Sequence, residues 1–434
     1  MSHVFARSPR PDLPVAVSGT GAEIVDAAGR RYLDGSGGAV VVGIGHGVTE
    51  VSDAIAEQSR RISYVHGTAF ATEAVEAYAD ELAAVLPLDD ARVYPVSGGS
   101  EAVETALKMA RAYHLSRGED RHLIVSRQGS YHGNTRGALD ASGRRPLRAP
   151  YLPWLGQGRH TTTPYEYRCP FPDTHPVGCG ARHAAELDRI LAETPAAAFL
   201  AEPVAGAALG ACVPPADYWP AVADVCRRHG VLLIADEVMT GFGRTGRWFA
   251  CDHWDLRPDI VVGAKGASSG YWPLGFAAST AAVHETIKAG GFTHGFTNSH
   301  HPVGAAAGRA VLKILREQDL VAAAERQGDR LDAALRAELG DHDHVGDIRG
   351  IGLLRAVEFV ADRSSKAPFP RAEKVTERVV AACADNGALV YSSTGGATGT
   401  DGDLILFGPP LVITDDQVDE LALRCTKAIR SVLP

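Results

Sequence analysis

The sequence predicts an α/β protein, with a large domain built on a mostly parallel sheet and a smaller α+β domain made from both chain ends. Its 434 residues, 45% hydrophobic and 22% charged, suffice for two packed domains of an ordinary globular protein. Short apolar runs alternate with helical patterns in the middle of the chain, which is typical of a parallel sheet covered on both faces. No long polar linker divides the chain, so the smaller domain must combine N-terminal and C-terminal segments.

Hydrophobic periodicity gives the elements of the first two thirds of the chain. Residues 22–34 alternate around a turn at Ala28 and Gly29, which predicts a β-hairpin. Farther along, the pattern predicts helices at residues 72–86, 100–113 and 215–229, and strands at residues 122–126, 197–204, 231–235, 259–263 and 276–280. We therefore place the large domain at residues 66–310.

The last third of the chain has a different character, in which helices and paired strands are mixed. The pattern predicts helices at residues 303–316 and 373–386, and strands within residues 352–360, 388–392 and 404–407. Thr414 and Gln417 form the signature of a capping box, which predicts a final amphipathic helix. We assign residues 1–65 and 311–434 to the smaller domain.

Charge and cysteine content exclude several classes of protein. The 43 basic and 52 acidic residues give a net charge of −9 without a basic stripe, so we expect no nucleic-acid partner. The first 15 residues lack the apolar stretch of a secretory signal, and no window reaches 18 apolar residues. We therefore expect no membrane span, a cytoplasmic location and reduced thiols for the seven cysteines.

Two motif matches are interpreted as coincidental. The cluster Cys169, His175, Cys179 and His183 offers soft ligands, but its spacing fits none of the usual zinc patterns and its residues form a Pro/Gly-rich stretch, so we expect no metal. The GFGRTG segment at residues 241–246 satisfies the GxGxxG pattern of dinucleotide sites. Because it does not open a helix directly after its strand, we do not expect an NAD-type dehydrogenase.

Glycines and an aromatic turn suggest a site for a planar phosphorylated ligand. Gly98, Gly99 and Ser100 precede a helix, and glycines let backbone amides approach an anion at the positive end of a helix. Taken alone, this motif is more often a plain turn with a serine cap. Tyr131 and His132 lie in a turn bounded by glycines, where an aromatic face can meet a planar ligand.

Two charged residues follow buried strands of the predicted sheet. Asp236 ends the apolar run VLLIA, at the edge where α/β sheets bind ligands, and a carboxylate there can keep a pyridine nitrogen protonated. Lys265 follows the run IVVGA. Burial lowers the pKa of a lysine, which is what a Schiff-base amine requires, although a single lysine at a strand end is more often a solvated surface residue.

As an ordered set, these motifs resemble the class III aminotransferases (ornithine and ω-amino acid type) of pyridoxal 5′-phosphate (PLP) fold type I. The resemblance covers nearly the whole chain, including YLDGSGGAVVVGIGH, GSEAVETALKMARAY, YHG, AEPVAG, ADEVMTGFGRTG, AKGASSGYWPLG, HGFTNSHHPVGAAAG and FGPPLVIT. It implies a sheet of the seven-stranded type, PLP as cofactor and a homodimer with shared active sites. The implied reaction moves an amino group between an amine or ω-amino donor and an oxoacid or carbonyl acceptor.

The resemblance also implies roles for individual residues. Lys265 matches the lysine that holds the cofactor as a Schiff base, and Asp236 matches the carboxylate beside the pyridine nitrogen. Thr297 matches a threonine that reaches the phosphate of the partner subunit. The other matching cofactor contacts are Gly99, Ser100, Tyr131, His132, Glu202 and Val238.

The sequence departs from the family at the position that many relatives use to bind a substrate carboxylate. Leu406 replaces the arginine before the PPL motif, and no Lys or Arg lies between Arg378 and Arg424. Either another arginine binds the carboxylate, or the donor is an amine or amino sugar without a carboxylate near the reacting carbon, which would suit a specialised biosynthetic pathway. Candidate walls of the substrate pocket are Tyr64, His66, Phe70 and Trp154.

Two other functions compete with the aminotransferase. A racemase of the same fold would use the same lysine and cofactor but return the proton to the same carbon, and it needs no oxoacid. A non-catalytic regulator is disfavoured because no segment resembles a DNA-binding appendage and the Lys265 and Asp236 pair is intact.

Overall fold

The computed structural model describes residues 3–5, 7, 13–156, 158–171 and 179–434. Within them the strands are β1 (Ala16–Thr20), β2 (Glu23–Asp26), β3 (Arg31–Asp34), β4 (Arg92–Val96), β5 (Leu123–Arg127), β6 (Arg159–Thr161), β7 (Ala196–Ala201), β8 (Leu232–Asp236), β9 (Ile260–Gly263), β10 (Gly275–Ser279), β11 (Val345–Ile351), β12 (Leu354–Phe359), β13 (Ala388–Leu389), β14 (Tyr391–Thr394) and β15 (Asp403–Phe407). The α-helices are α1 (Gly37–Val40), α2 (Thr49–Arg61), α3 (Glu73–Ala83), α4 (Gly99–Ser116), α5 (Arg136–Ala141), α6 (Arg145–Arg148), α7 (Gly180–Glu193), α8 (Tyr218–His229), α9 (Ala281–Gly290), α10 (Pro302–Glu317), α11 (Leu320–Leu339), α12 (Val375–Asp385) and α13 (Asp415–Val432).

A seven-stranded sheet forms the centre of the large domain, with the order β4-β10-β9-β8-β7-β5-β6. The fold class predicted from the sequence is confirmed. Strands β6, β5, β7, β8 and β9 pair in parallel, whereas β10 is antiparallel to both of its neighbours. The apolar pattern predicted a strand at the position of β10. It did not predict that β10 runs antiparallel to its neighbours, because apolar periodicity carries no information about strand direction.

The central strands are buried on both faces. Along β8, Leu233 and Ala235 pack into one apolar cluster together with α8, while Leu232 and Ile234 pack into a second cluster together with α4. Helices therefore cover both sides of the sheet, as expected for continuous apolar strands. This packing holds the carboxyl ends of β8 and β9 in fixed positions at one edge of the sheet.

Two smaller sheets join the chain ends. The N-terminal hairpin of β2 and β3 pairs with the C-terminal strand β13, and β11, β12, β15 and β14 form a separate antiparallel sheet. The capping box of Thr414 and Gln417 opens α13. The proposed domain boundaries remain predictions, and the one at residue 310 falls inside α10. Within the described residues, no helix combines the length and apolar character needed to cross a membrane.

Candidate active site

The edge of the sheet brings together residues that are far apart in sequence. Asp236 is the last residue of β8 and pairs with Val262 of the neighbouring parallel strand β9. Lys265 follows β9 by two residues, so both side chains arise at the same edge. Strand β4 pairs with β10 and leads directly into α4, so the N-terminus of α4 also faces this edge.

These elements surround a cavity of about 410 Å³. Of the residues assigned to cofactor contacts from the sequence, those that line the cavity are Gly99, Ser100, Tyr131, His132, Glu202, Asp236, Val238 and Lys265. Thr297 does not line it. Its carbonyl accepts a hydrogen bond from the hydroxyl of Tyr64 (2.9 Å) in an exposed part of the chain.

Asp236 is buried and held by two hydrogen bonds. Its Oδ2 accepts a bond from Nδ1 of the buried His132 (2.7 Å), and its Oδ1 accepts one from the backbone N–H of Val238 (3.1 Å). His132 Nε2 has no hydrogen-bond partner among the described residues. The carboxylate is thus fixed in orientation before any ligand enters, which limits reorganisation during catalysis.

Lys265 adopts a left-handed backbone conformation (φ 45°) at the start of a 3₁₀ turn. Burial lowers its pKa from 10.5 to about 8, because the ammonium form is poorly solvated there. Asp236 and Glu202 raise that pKa and Arg244 lowers it further. An amine with a pKa near 8 is partly neutral at neutral pH and can act as a nucleophile or a base.

The N-terminus of α4 offers backbone donors to an anion. The first bond of the helix runs from the N–H of Ala102 to the carbonyl of Gly98 (3.0 Å), so the preceding amides lack helical acceptors. Gly99 permits a close approach here, since a Cβ atom at this position would lie 3.1 Å from Cγ1 of Val238. The hydroxyl of Ser100 accepts a bond from the N–H of Asn134 (3.1 Å), which joins this helix to the turn after Tyr131.

Glu202 is a second buried carboxylate in the cavity. Its Oε1 accepts a bond from the N–H of Gly206 (3.3 Å), and its Oε2 lies 3.9 Å from Nη2 of Arg127. Burial raises the pKa of Glu202, with His132 and Arg127 acting in the opposite direction. This carboxyl group therefore takes up a proton more readily than an exposed glutamate does.

The four candidate residues for the substrate pocket do not line this cavity in the single chain. Tyr64, His66 and Phe70 lie in an exposed segment, and the side chain of Phe70 is 68% exposed. Trp154 is 64% exposed and stacks on Tyr151, with ring centroids 5.3 Å apart. Their assignment to the pocket remains a prediction.

Arg144 was missed by the sequence analysis. Its Nη2 donates to the hydroxyl of Ser393 (3.2 Å), and its buried Nε has no hydrogen-bond partner among the described residues. Burial lowers its pKa, while Tyr391, Tyr131 and Glu202 raise it. Arg144 does not line the cavity beside Lys265 but a second cavity of about 510 Å³, and the motif-free run GRRPLR gives no sign of this position.

The two motifs interpreted as coincidental have different outcomes in the structure. The glycine-rich segment at residues 241–246 forms turns, and its Arg244 donates to the carbonyls of Leu353 (3.1 Å) and Pro409 (2.7 Å). This segment thus ties the large domain to the C-terminal part of the chain. Cys169, Cys179 and His183 lie close together, whereas His175 is outside the described residues.

Comparisons with known proteins agree with this arrangement. The chain matches the family model "Aminotransferase class-III" over residues 4–429. An uncharacterised aminotransferase of Bacillus subtilis is 37% identical, over 96% of this chain and 95% of the relative. The diaminobutyrate–2-oxoglutarate transaminase of Halomonas elongata is 34% identical, over 96% and 90% respectively. A solved structure of an (S)-enantioselective ω-transaminase from Thermomicrobium roseum is 37% identical, with a TM-score of 0.92 over 100% of this chain and 97% of that one. The chain therefore belongs to the class III aminotransferases, which are PLP-dependent transaminases of fold type I.

Proposed function

We propose that the cavity beside Asp236 and Lys265 is where this aminotransferase binds PLP and transfers amino groups. The observation that carries the proposal is that both residues arise at the ends of adjacent parallel strands and face one cavity with the N-terminus of α4. The groups that line the cavity suit the cofactor. The backbone amides at the start of α4 would bind the phosphate, the carboxylate of Asp236 would pair with the ring nitrogen, and the amine of Lys265 would react with the aldehyde. When bound, PLP supplies an electron-withdrawing ring that stabilises negative charge on the substrate carbon.

Each residue that lines the cavity has its own role in the proposed reaction. Lys265, whose pKa is about 8, accepts and returns the substrate proton. Asp236, oriented by His132, keeps a positive charge on the ring nitrogen. Tyr131 and Val238 line the same cavity and would cover the two faces of the ring, and Gly99 and Ser100 would hold the phosphate. The buried Glu202 forms a further polar wall.

We also propose a homodimer with shared active sites in the cytoplasm. The segment at residues 61–70 is mostly exposed although it contains Ile62, Tyr64 and Phe70, and Tyr64 bonds to the exposed Thr297. An exposed apolar patch of this kind suits a subunit interface. In the dimer, Thr297 would reach the partner's phosphate, and the aromatic residues Tyr64, His66, Phe70 and Trp154 would line the substrate pocket. The seven free cysteines suit a reducing compartment.

For the substrate, we propose an ω-amino or bulky amine donor and an oxoacid acceptor whose carboxylate binds Arg144. Leu406 is fully buried in an apolar cluster beside Met239 and Tyr391, so it offers nothing to an anion. Arg144 supports this proposal because Tyr131 and Tyr391 both act electrostatically on it, and its buried Nε has no hydrogen-bond partner among the described residues. The names of the Halomonas and Thermomicrobium relatives, a diaminobutyrate–2-oxoglutarate transaminase and an ω-transaminase, fit this substrate class.

The proposal is tested by following the absorbance of the bound cofactor while a panel of amines is added without acceptor. We expect ω-amines to change the spectrum and pyruvate or 2-oxoglutarate to reverse it, with a new amino acid formed. Borohydride reduction and peptide mass spectrometry should find the cofactor on Lys265. Racemisation without an oxoacid, or trapping on another lysine, would contradict the assignment.

The role of Arg144 is tested separately with Arg144→Leu. We expect the KM of the oxoacid to rise about tenfold or more, because a charge-assisted bond is lost, while the half-reaction with an amine that lacks a carboxylate changes little. The matched control is Arg145→Leu at the exposed neighbouring position. An unchanged oxoacid KM in Arg144→Leu would show that another group binds the carboxylate.

A further inference from the structure

We infer that Cys169, Cys179 and His183 provide three ligands of a zinc ion and water the fourth, at a site separate from the active site that holds the segment of residues 162–171 against α7. One ligand atom from each residue lies within 4.8 Å of the other two. Such spacing allows a single ion to contact all three, because Zn–S bonds are about 2.3 Å and Zn–N bonds about 2.0 Å long. None of the three residues lines the cavity beside Lys265.

The location of the three side chains favours a built site over a chance meeting of polar groups. Cys179 and His183 are buried, with exposures of 3% and 1%, and Cys169 is partly buried. Cys179 lies immediately before the first residue of α7, and His183 is on the first turn of that helix. Cys169 is not part of α7 but belongs to the segment of residues 162–171. Two thiols and an imidazole are the ligand types that zinc prefers among common metals.

Neighbouring residues orient the ligands as those around metal centres do. His183 Nδ1 lies 2.8 Å from the hydroxyl of Thr162, which in turn contacts the carboxylate of Glu186. Because the hydroxyl of Thr162 donates to Glu186, it accepts from Nδ1 of His183, and this is the tautomer of an imidazole that binds a metal through Nε2. The backbone N–H of Phe171 donates to Sγ of Cys169 (3.4 Å), a contact that stabilises a thiolate.

The position of the site in the chain suggests what the ion does. Between Thr162 and Cys169, Tyr165 and Arg168 both bond to Glu358 of β12, with Arg168 Nε 2.7 Å from Oε1. The same segment contributes to the wall of a cavity of about 510 Å³, together with Arg144. An ion that joins Cys169, at one end of this segment, to Cys179 and His183 of α7 would fix the contact between the large domain and β12. We therefore expect a structural role and no part in amino transfer.

A disulfide between Cys169 and Cys179 is the competing outcome. A disulfide would use both thiols without involving His183. The hydrogen bonds that orient His183 through Thr162 and Glu186 would then serve no ligand. Disulfide formation also requires an oxidant, whereas zinc binding requires only loss of the thiol protons.

The test measures zinc in the reduced PLP-loaded protein after incubation with zinc chloride and gel filtration. We expect about one zinc ion per chain by elemental mass spectrometry, and a loss of at least about tenfold in bound zinc in Cys169→Ser and His183→Ala. The control is Cys226→Ser, which changes a buried thiol of α8 and should keep the ion. Circular dichroism shows whether each variant is folded.

A second measurement does not depend on the variants. Cobalt added to the wild-type protein should give the visible d–d bands of a tetrahedral ion with sulfur ligands, at wavelengths where PLP does not absorb. Absence of bound zinc and of these bands in the reduced protein would overturn the inference. So would zinc content that is unchanged in Cys169→Ser and His183→Ala, or a Cys169–Cys179 disulfide in the protein purified without reductant that reduction and zinc do not replace.

Discussion

Two walls of the active site differ in how they use charge. The cofactor edge, made of Asp236, Lys265 and the start of α4, buries ionisable groups and gives Asp236 two hydrogen-bond partners. The substrate wall that we propose, made of β14, β15 and Arg144, lies outside the lining of the cavity at Lys265, is apolar at Leu406 and contains a cation from a distant loop. Under this proposal, the reaction depends on residues at strand ends, while specificity depends on side chains from other parts of the chain.

Asp236→Asn should have the largest effect, because it removes the charge that the cofactor edge is arranged to hold. We expect turnover to fall by about 10²–10³-fold or more, since a neutral amide no longer stabilises a protonated ring nitrogen. Cofactor binding should weaken far less. Steady-state kinetics and equilibrium dialysis of PLP separate the two effects. A turnover near that of the wild type would mean that the carboxylate does not face the ring nitrogen.

Leu406→Arg tests the opposite wall by introducing the family arginine. Leu406 is fully buried in an apolar cluster with Val40, Leu354 and Ala356. We expect the free energy of unfolding to fall by about 3 kcal/mol, because an unpaired charge would be buried. Denaturant unfolding measures this change.

Leu406→Met is the matched control, and we expect it to cost less than about 1.5 kcal/mol because volume and polarity are nearly conserved. If Leu406→Arg folds as stably as the wild type and binds α-amino acids more tightly, the substrate wall can accept charge, and the proposed difference between the two walls fails.

The depressed pKa of Lys265 gives a smaller effect with a defined pH range. Since only the neutral amine reacts with an aldehyde, PLP loading of the apoprotein should quicken about tenfold between pH 7 and 9 and then level off. An amine with its ordinary pKa of 10.5 would still be gaining rate above pH 9. The rate is read from borohydride-trapped cofactor on Lys265, and a continued rise up to pH 10.5 would contradict the lowered pKa.

The same shift has a consequence for stability. Unfolding returns Lys265 to its ordinary pKa of 10.5, so between pH 8 and 10.5 the unfolded chain binds more protons than the folded one. The contribution of Lys265 to the unfolding free energy of the apoprotein therefore becomes more favourable as pH rises through this range. The unfolding free energy is measured against pH for the wild-type and Lys265→Ala apoproteins. The difference between the two curves isolates the contribution of Lys265 from those of other titrating groups.

The sequence predicted the cofactor edge better than the substrate wall for physical reasons. Apolar runs marked β8 and β9, and strands of a parallel sheet place their ends together, so Asp236 and Lys265 could be located from order alone. Arg144 and Ser393 are 249 positions apart in the sequence, and hydrophobic periodicity cannot predict a contact between their side chains. The spacing of Cys169 and Cys179 fits no common zinc pattern, so no motif indicated that their side chains lie close together.

Strand β4 was missed for a related reason. It contains Arg92 and Pro95, which weaken an apolar pattern, and its only partner is the antiparallel β10. Proline is tolerated there because β4 is at the edge of the sheet, where one side of the strand needs no partner. Pattern analysis therefore works where a strand is buried on both sides and fails at the edges.

Tyr131→Phe should have the smallest effect and tests whether the cofactor edge uses Tyr131 as a surface or as an acid. The hydroxyl accepts a bond from Nδ2 of Asn134 (3.1 Å) at the exposed side of the turn. Burial raises the pKa of Tyr131, so the hydroxyl stays protonated at neutral pH and is a poor base. If the ring alone matters, kcat/KM should change by no more than about tenfold, because one neutral hydrogen bond contributes about 0.5–1.5 kcal/mol. Tyr131→Ala, which removes the ring, should weaken PLP binding about tenfold. If kcat/KM of Tyr131→Phe fell a hundredfold while its affinity for PLP was unchanged, the hydroxyl would take part in proton transfer. Lys265 would then not be the only residue that moves the substrate proton.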